Sequence, residues 1–175
     1  MHISSRCAGI LLPIVILAGC AESPTEVAEP ASASVSSISS GSVLVECPTD
    51  VTRSVSQTIH PLSGGTIELD GHSLTVPALA LLLPTQFTLT VPASRYVEVH
   101  ITANGEHGFE FLRTAGISIS YARCTRSDIA GAALSGYKID PESKALLRFM
   151  GGSNDMLQRR VTFGTDSLSA YAIAQ

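Results

Sequence analysis

The stretch FTLTVPASRYVEVHITA, residues 87–103, decides the fold class. In FTLTV, Phe87, Leu89 and Val91 point one way while Thr88 and Thr90 point the other, because side chains alternate across an extended chain. In YVEVHITA, Val97, Val99 and Ile101 alternate in the same manner with Glu98, His100 and Thr102. Each segment therefore buries one face and wets the other. Working outward, Phe109 and Phe111 flank Glu110, and Ile117, Ile119 and Tyr121 alternate with serines. The stretches LLRF from Leu146, RVTF from Arg160 and SAYAIA from Ser169 read as further strands, the last with Tyr171 and Ile173 toward the core. Turns are supplied by Ala103-Asn104-Gly105 and Asp140-Pro141. Short alternating strands joined in this way predict an all-β protein, an antiparallel β-sandwich of immunoglobulin-like two-sheet architecture. Only PALALLL, residues 77–83, offers a helical turn before Pro84 stops it, and residues 128–134 are a second marginal helical candidate.

The chain divides into three regions. Residues 8–18 form an apolar run of 11 residues behind Arg6, the layout of an export signal. As a helix this run reaches about 16 Å, roughly half the hydrocarbon thickness of a bilayer, so it reads as a removed signal rather than a span. Residues 21–42 are almost wholly Ala, Ser, Pro, Glu, Val and Thr and have no aromatic residue to bury, which predicts a disordered tether. Residues 43–175 then form one head domain of 133 residues, enough for a single core. The head holds 10 basic and 12 acidic residues. That balance argues against a nucleic-acid partner, and the doublet Arg159-Arg160 is too small to change it.

The residues Leu17, Ala18, Gly19 and Cys20 resemble the lipobox of bacterial lipoproteins. Small residues before the cut suit a signal peptidase that binds extended chain, and the resemblance implies a diacylglycerol thioether on Cys20, which becomes the first mature residue. The domains implied are a signal peptide over 1–19, a lipidated cysteine and linker over 20–42, and the head over 43–175. The alternative for Cys20 is an ordinary secretory signal cut elsewhere. Two or three acyl chains, at about 0.8 kcal/mol per buried methylene, make anchoring effectively permanent. Ala21 stands where an inner-membrane lipoprotein commonly has Asp, so the resemblance implies a lipid-anchored place in the cell envelope, at the outer membrane if the host is Gram-negative. Of the remaining cysteines, Cys7 belongs to the signal, and Cys47 and Cys124 lie in the head. Export makes a disulfide between them plausible, against two independent buried thiols; their wide spacing has no metal-ligand pattern.

The stretch GGTIELDGHSLTVPALALLLPTQFTLTV, residues 64–91, resembles the core of the ZU domain, a β-sandwich module of zonula occludens proteins, netrin receptors and ankyrins. The shared pattern is a Gly-Gly entering a strand, a hairpin, an apolar step into Pro77, a small-residue turn through Ala78 and Ala80, and a strand of alternating Thr and apolar residues. Gly64 and Gly65 permit positive φ, and Pro77 ends the preceding ladder so that the chain crosses between sheets. The likeness continues more weakly to SLSAYAIA. Some family members cleave themselves at a Phe-Ser bond using a neighbouring His; Ser169 and Tyr171 match that strand, but Ser167 replaces the His and Leu168 the Phe, so no self-cleavage is expected.

Catalytic patterns are sparse. The sequence has no Gly-x-Ser-x-Gly, no His-Glu-x-x-His and no phosphate-cradling glycine loop, and it suggests neither enzyme activity nor a cofactor. His72 and His107 sit in turns, where exposure is the simple expectation, and His60 is a further imidazole. Glu98 and His100 share a strand face and could act as base or ligand, although a solvated pair is the simpler reading. Glu68 and Asp70 also share a face and could reach Ca²⁺, but two carboxylates are few for that ion, so no metal site is assigned. The expected function is a non-catalytic β-sandwich held at a membrane by its lipid and binding an unidentified envelope or extracellular protein. A small-ligand or enzymatic role on envelope sugars or peptides is the alternative, poorly supplied for sugar stacking by a chain with no Trp.

Overall fold

The computed structural model describes residues 41–125, Ile129 and 133–175. Thirteen strands are found among them: β1 (Glu46–Thr49), β2 (Arg53–Ile59), β3 (Gly65–Leu69), β4 (His72–Val76), β5 (Thr85–Val91), β6 (Ser94–Tyr96), β7 (Glu98–Ala103), β8 (Glu110–Ser120), β9 (Ser135–Ile139), β10 (Leu146–Gly151), β11 (Ser153–Asp155), β12 (Arg160–Ser167) and β13 (Ala170–Ala174). They form a six-stranded sheet, ordered β10-β9-β13-β7-β5-β2, and a five-stranded sheet, ordered β11-β12-β8-β4-β3, with β1 and β6 as a separate pair. Every strand pairing is antiparallel. The fold is an all-β sandwich.

Alternation builds the core. In β5, Phe87, Leu89 and Val91 are fully buried, while Thr88 and Thr90 face outward, Thr88 meeting Ser56 of β2 at 2.7 Å. Across the second sheet, Ile67, Leu74, Ile117 and Phe163 stand opposite one another on four successive strands. Removing each such side chain from water contributes roughly 1.5–3 kcal/mol. Tyr171 and Ile173 are buried as the alternation of β13 requires, with the Tyr171 ring 5.6 Å from Phe163 and its hydroxyl 2.9 Å from Thr165 Oγ1. Phe87, Phe109 and Phe111 form a second aromatic group, with centroids 5.3 to 5.8 Å apart.

The turns follow their residues. Asn104 and Gly105 both have positive φ, and Ala103 and Glu106 exchange backbone hydrogen bonds across them. The β9–β10 turn is organised by the Asp140 carboxylate, which accepts from the backbone N–H groups of Glu142 and Ser143. Pro77 does mark the crossing from β4 in one sheet to β5 in the other. Of the glycine pair, only Gly64 has positive φ, and a Cβ there would lie 2.4 Å from the Val76 carbonyl oxygen.

Several expectations are revised. Residues 77–83 form no helix: Ala80 N–H donates to Pro77 O across Leu79, whose φ of 64° makes this a sharp turn. FEFL and ISISYA are not separate strands, since β8 runs unbroken from Glu110 to Ser120. Ser118 and Ser120 on it are buried rather than wet. The candidate helix at 128–134 falls largely outside the described residues.

Candidate functional site

The pairing across the sheets gives the sandwich two distinct poles. The chain enters beside the end of β13, where Val43 and Gln175 exchange backbone hydrogen bonds of 3.0 Å and Leu44 bridges Ala174. Ala172 stands opposite Glu98, so this entry pole lies at the start of β7. Thr85 and Pro84 lie at the other end, because Phe87 stands opposite Ala103. The six residues of β7 separate the poles by about 17 Å.

At the entry pole Cys47 and Cys124 meet in a disulfide, with Cα atoms 5.3 Å apart and 77 residues between them in sequence. Arg123 braces this link by donating from Nε and Nη2 to the Cys47 carbonyl and from Nη2 to that of Tyr96. Beside it opens a cleft of about 250 Å³ lined by Thr49, Arg53, Asp70, His72, Ser120 and Arg123, among others. His72 is buried there, not exposed as its place in DGHS suggests, because β4 begins at this residue and turns it inward with Leu74. Its Nδ1 accepts the Ser120 backbone N–H at 3.2 Å, so the ring is neutral with its proton on Nε2. Burial, with the Arg123 charge adding to it and Asp70 opposing, holds its pKa down at about 4. Ser120 Oγ accepts from Ala122 N–H. The cleft thus offers hydrogen bonds and positive charge.

On the outer face of the six-stranded sheet, Glu98 and His100 do come together, Nε2 to Oε2 at 3.1 Å. The pair is not solvated: Glu98 is 1% exposed, and Lys144 reaches the same oxygen at 2.8 Å. Burial would raise the Glu98 pKa, yet hydrogen bonds from His100, Lys144 and Ser94, with the Lys144 charge, hold it at about 2. The carboxylate is ionised at neutral pH and doubly gripped, which suits a structural staple better than a base.

Glu68 and Asp70 do not form a pair on one strand face. Asp70 has a φ of 51°, sits in the turn after β3, and is bound by Arg53 at 3.0 Å. Among the described residues no three His, Cys, Asp or Glu side chains gather as a metal site requires. Ser167 and Leu168 lie at the β12–β13 turn, where Leu168 is buried and its N–H donates to Phe109 O. Cys20 falls outside the described residues.

The pole away from the chain entry holds the feature that sequence reading missed. Leu62, Leu79, Leu82, Leu83 and Leu112 are between 56% and 83% exposed. Backbone bonds draw these loops and the start of β8 together: Leu79 N–H donates to Pro61 O at 2.7 Å, and Leu112 N–H to Ala80 O at 3.0 Å. Arg113 Nη1 also ties the loop by donating to Ala78 O. Between them lies an apolar groove of about 320 Å³, lined by residues of the 80–85 segment, Asn104, Phe109, Glu110 and Leu112. The signal was present in PALALLL, a leucine run next to two prolines that no strand or helix could absorb. No protein-family model matches the chain, and no curated protein matches it.

Proposed function

We propose that the protein is an extracytoplasmic lipoprotein, held at the cell envelope by lipid on Cys20, whose non-catalytic head binds another envelope or extracellular protein. The observation that carries this reading is the group of bare leucines at the pole opposite the chain entry. Single exposed apolar residues are ordinary, but five large ones, four on loops and Leu112 on the start of β8, braced against each other, suit a contact surface. Glu110 on the groove rim suits a partner segment that carries an apolar anchor beside a basic residue. The tether over 21–42 and the ZU-like stretch over 64–91 support the same reading, since relatives of that module mostly make protein contacts. The test is crosslinking and pull-down of the lipidated protein in its native envelope, compared with a Leu82→Ser/Leu83→Ser variant. Capture of a reproducible protein by the native chain and its loss in the variant is the expected result. Equal capture by both removes the leucines from the interface.

The cleft beside the disulfide favours a second reading, a small anionic ligand facing Arg123, whose guanidinium forms no ion pair with a carboxylate among the described residues. Turnover or saturable binding of an envelope sugar or peptide by the purified protein, abolished by Arg123→Gln and untouched by Leu82→Ser, would select it.

A further inference from the structure

The turn from β11 to β12 reads Asp155-Met156-Leu157-Gln158-Arg159-Arg160, two apolar residues followed by two arginines. Leu157 is 96% exposed and Met156 69%, the barest apolar tip at the entry pole. The tip is built, not loose. Asp155 Oδ1 accepts the backbone N–H groups of Leu157 and Gln158 at 2.9 Å each, which presents the Leu157 side chain outward. Below it, the Tyr121 hydroxyl donates to Asn154 Oδ1 at 2.7 Å, and Tyr121 N–H to Arg159 O at 2.8 Å. The Arg159 guanidinium lies 5.8 Å over the Tyr121 ring and donates to Cys124 O. Arg159 and Arg160 are both half-buried, the Arg160 Nε fully so, and neither forms an ion pair with a carboxylate among the described residues.

The position of this turn selects its occupant. Arg159 contacts Cys124, Cys124 is bonded to Cys47, and Cys47 follows Leu44, where the chain outside the described head joins it. The turn therefore lies at the pole where the chain enters the sandwich. We propose that Met156 and Leu157 seat in the interface of an anionic phospholipid bilayer, the one that holds the tether, with the Arg159 guanidinium meeting the lipid phosphates. Apolar side chains enter the boundary between headgroups and acyl chains, and guanidinium groups pair with phosphate oxygens. This seating rests on the lipoprotein reading above, and it leaves the leucine groove at the far pole directed away from the lipid.

The chain contains no tryptophan, so Leu157→Trp and Leu82→Trp each introduce a single tryptophan, excited selectively over the tyrosines, at opposite poles. Mature lipidated protein carrying one or the other is reconstituted into vesicles of phosphatidylcholine and phosphatidylglycerol brominated on their acyl chains. The expected result is a blue-shifted L157W emission, quenched at least about twofold more strongly than that of L82W. Equal quenching of the two in vesicle-bound protein overturns the seating while leaving the tether reading intact. Failure of the protein to associate with vesicles overturns both. A blue shift at L157W without quenching by brominated lipid identifies a protein or a second copy as occupant and also overturns the proposal.

Discussion

Single residues govern how the head responds to pH. His72 is held near a pKa of 4 by burial, so the unfolded chain binds a proton more readily than the folded one between pH 6.5 and 4. Its contribution is complete above pH 6.5 and is lost as the pH falls toward 4, up to about 3 kcal/mol. Urea midpoints measured across that window should fall with acid, and His72→Asn, which retains an acceptor for Ser120 N–H, should flatten the slope. Glu98 acts lower: its contribution is present above pH 4.5 and disappears as the pH falls toward 2. Glu98→Gln should cost about 3 kcal/mol at neutral pH, because it leaves Lys144 without its charge partner, and should erase that acid limb in the same titrations. Sequence showed which side of the strand Glu98 and His100 share but not their depth. Lys144, which completes the group, is 46 residues from Glu98 along the chain, a distance no local pattern spans. His72 was misplaced for a related reason: DGHS reads as a turn, and only the neighbouring β8 shows that the strand has already begun.

At the scale of elements, strand alternation was legible because it repeats, and FTLTV, YVEVHITA and SAYAIA lie where their pattern put them. The loop between β4 and β5 was not legible. PALALLL has helical composition, but Pro77 and Pro84 bracket it and Leu79 adopts left-handed backbone, so Leu81 turns into the core while Leu79, Leu82 and Leu83 end in solvent. Two expectations follow at this scale. The disulfide joins β1 to the exit of β8, and replacing both cysteines with Ala should lower stability by about 4.5 kcal/mol on the chain-entropy model, read from denaturant midpoints. A loss below about 1 kcal/mol would show that constraint of the unfolded chain is not what this link supplies. Leu82→Ser/Leu83→Ser, by contrast, should leave the midpoint within about 0.5 kcal/mol for each substitution, since neither side chain contributes to the core. A large loss would reassign those leucines from contact to fold.

For the whole molecule, the two poles organise the account. The entry pole carries the disulfide, the arginine-lined cleft and the apolar Met156-Leu157 tip; the far pole carries the leucine groove. The proposed lipid on Cys20 would give this polarity a role, because the leucine groove lies at the pole opposite the point where the chain enters the head. The measurement that bears on this most directly is the intact mass and amino-terminal sequence of the mature protein extracted from native membranes. The account predicts a chain beginning at Cys20 and heavier than its polypeptide by a diacylglycerol thioether with its acyl groups. A mature chain that begins elsewhere, or a Cys20 thiol without lipid, would contradict it.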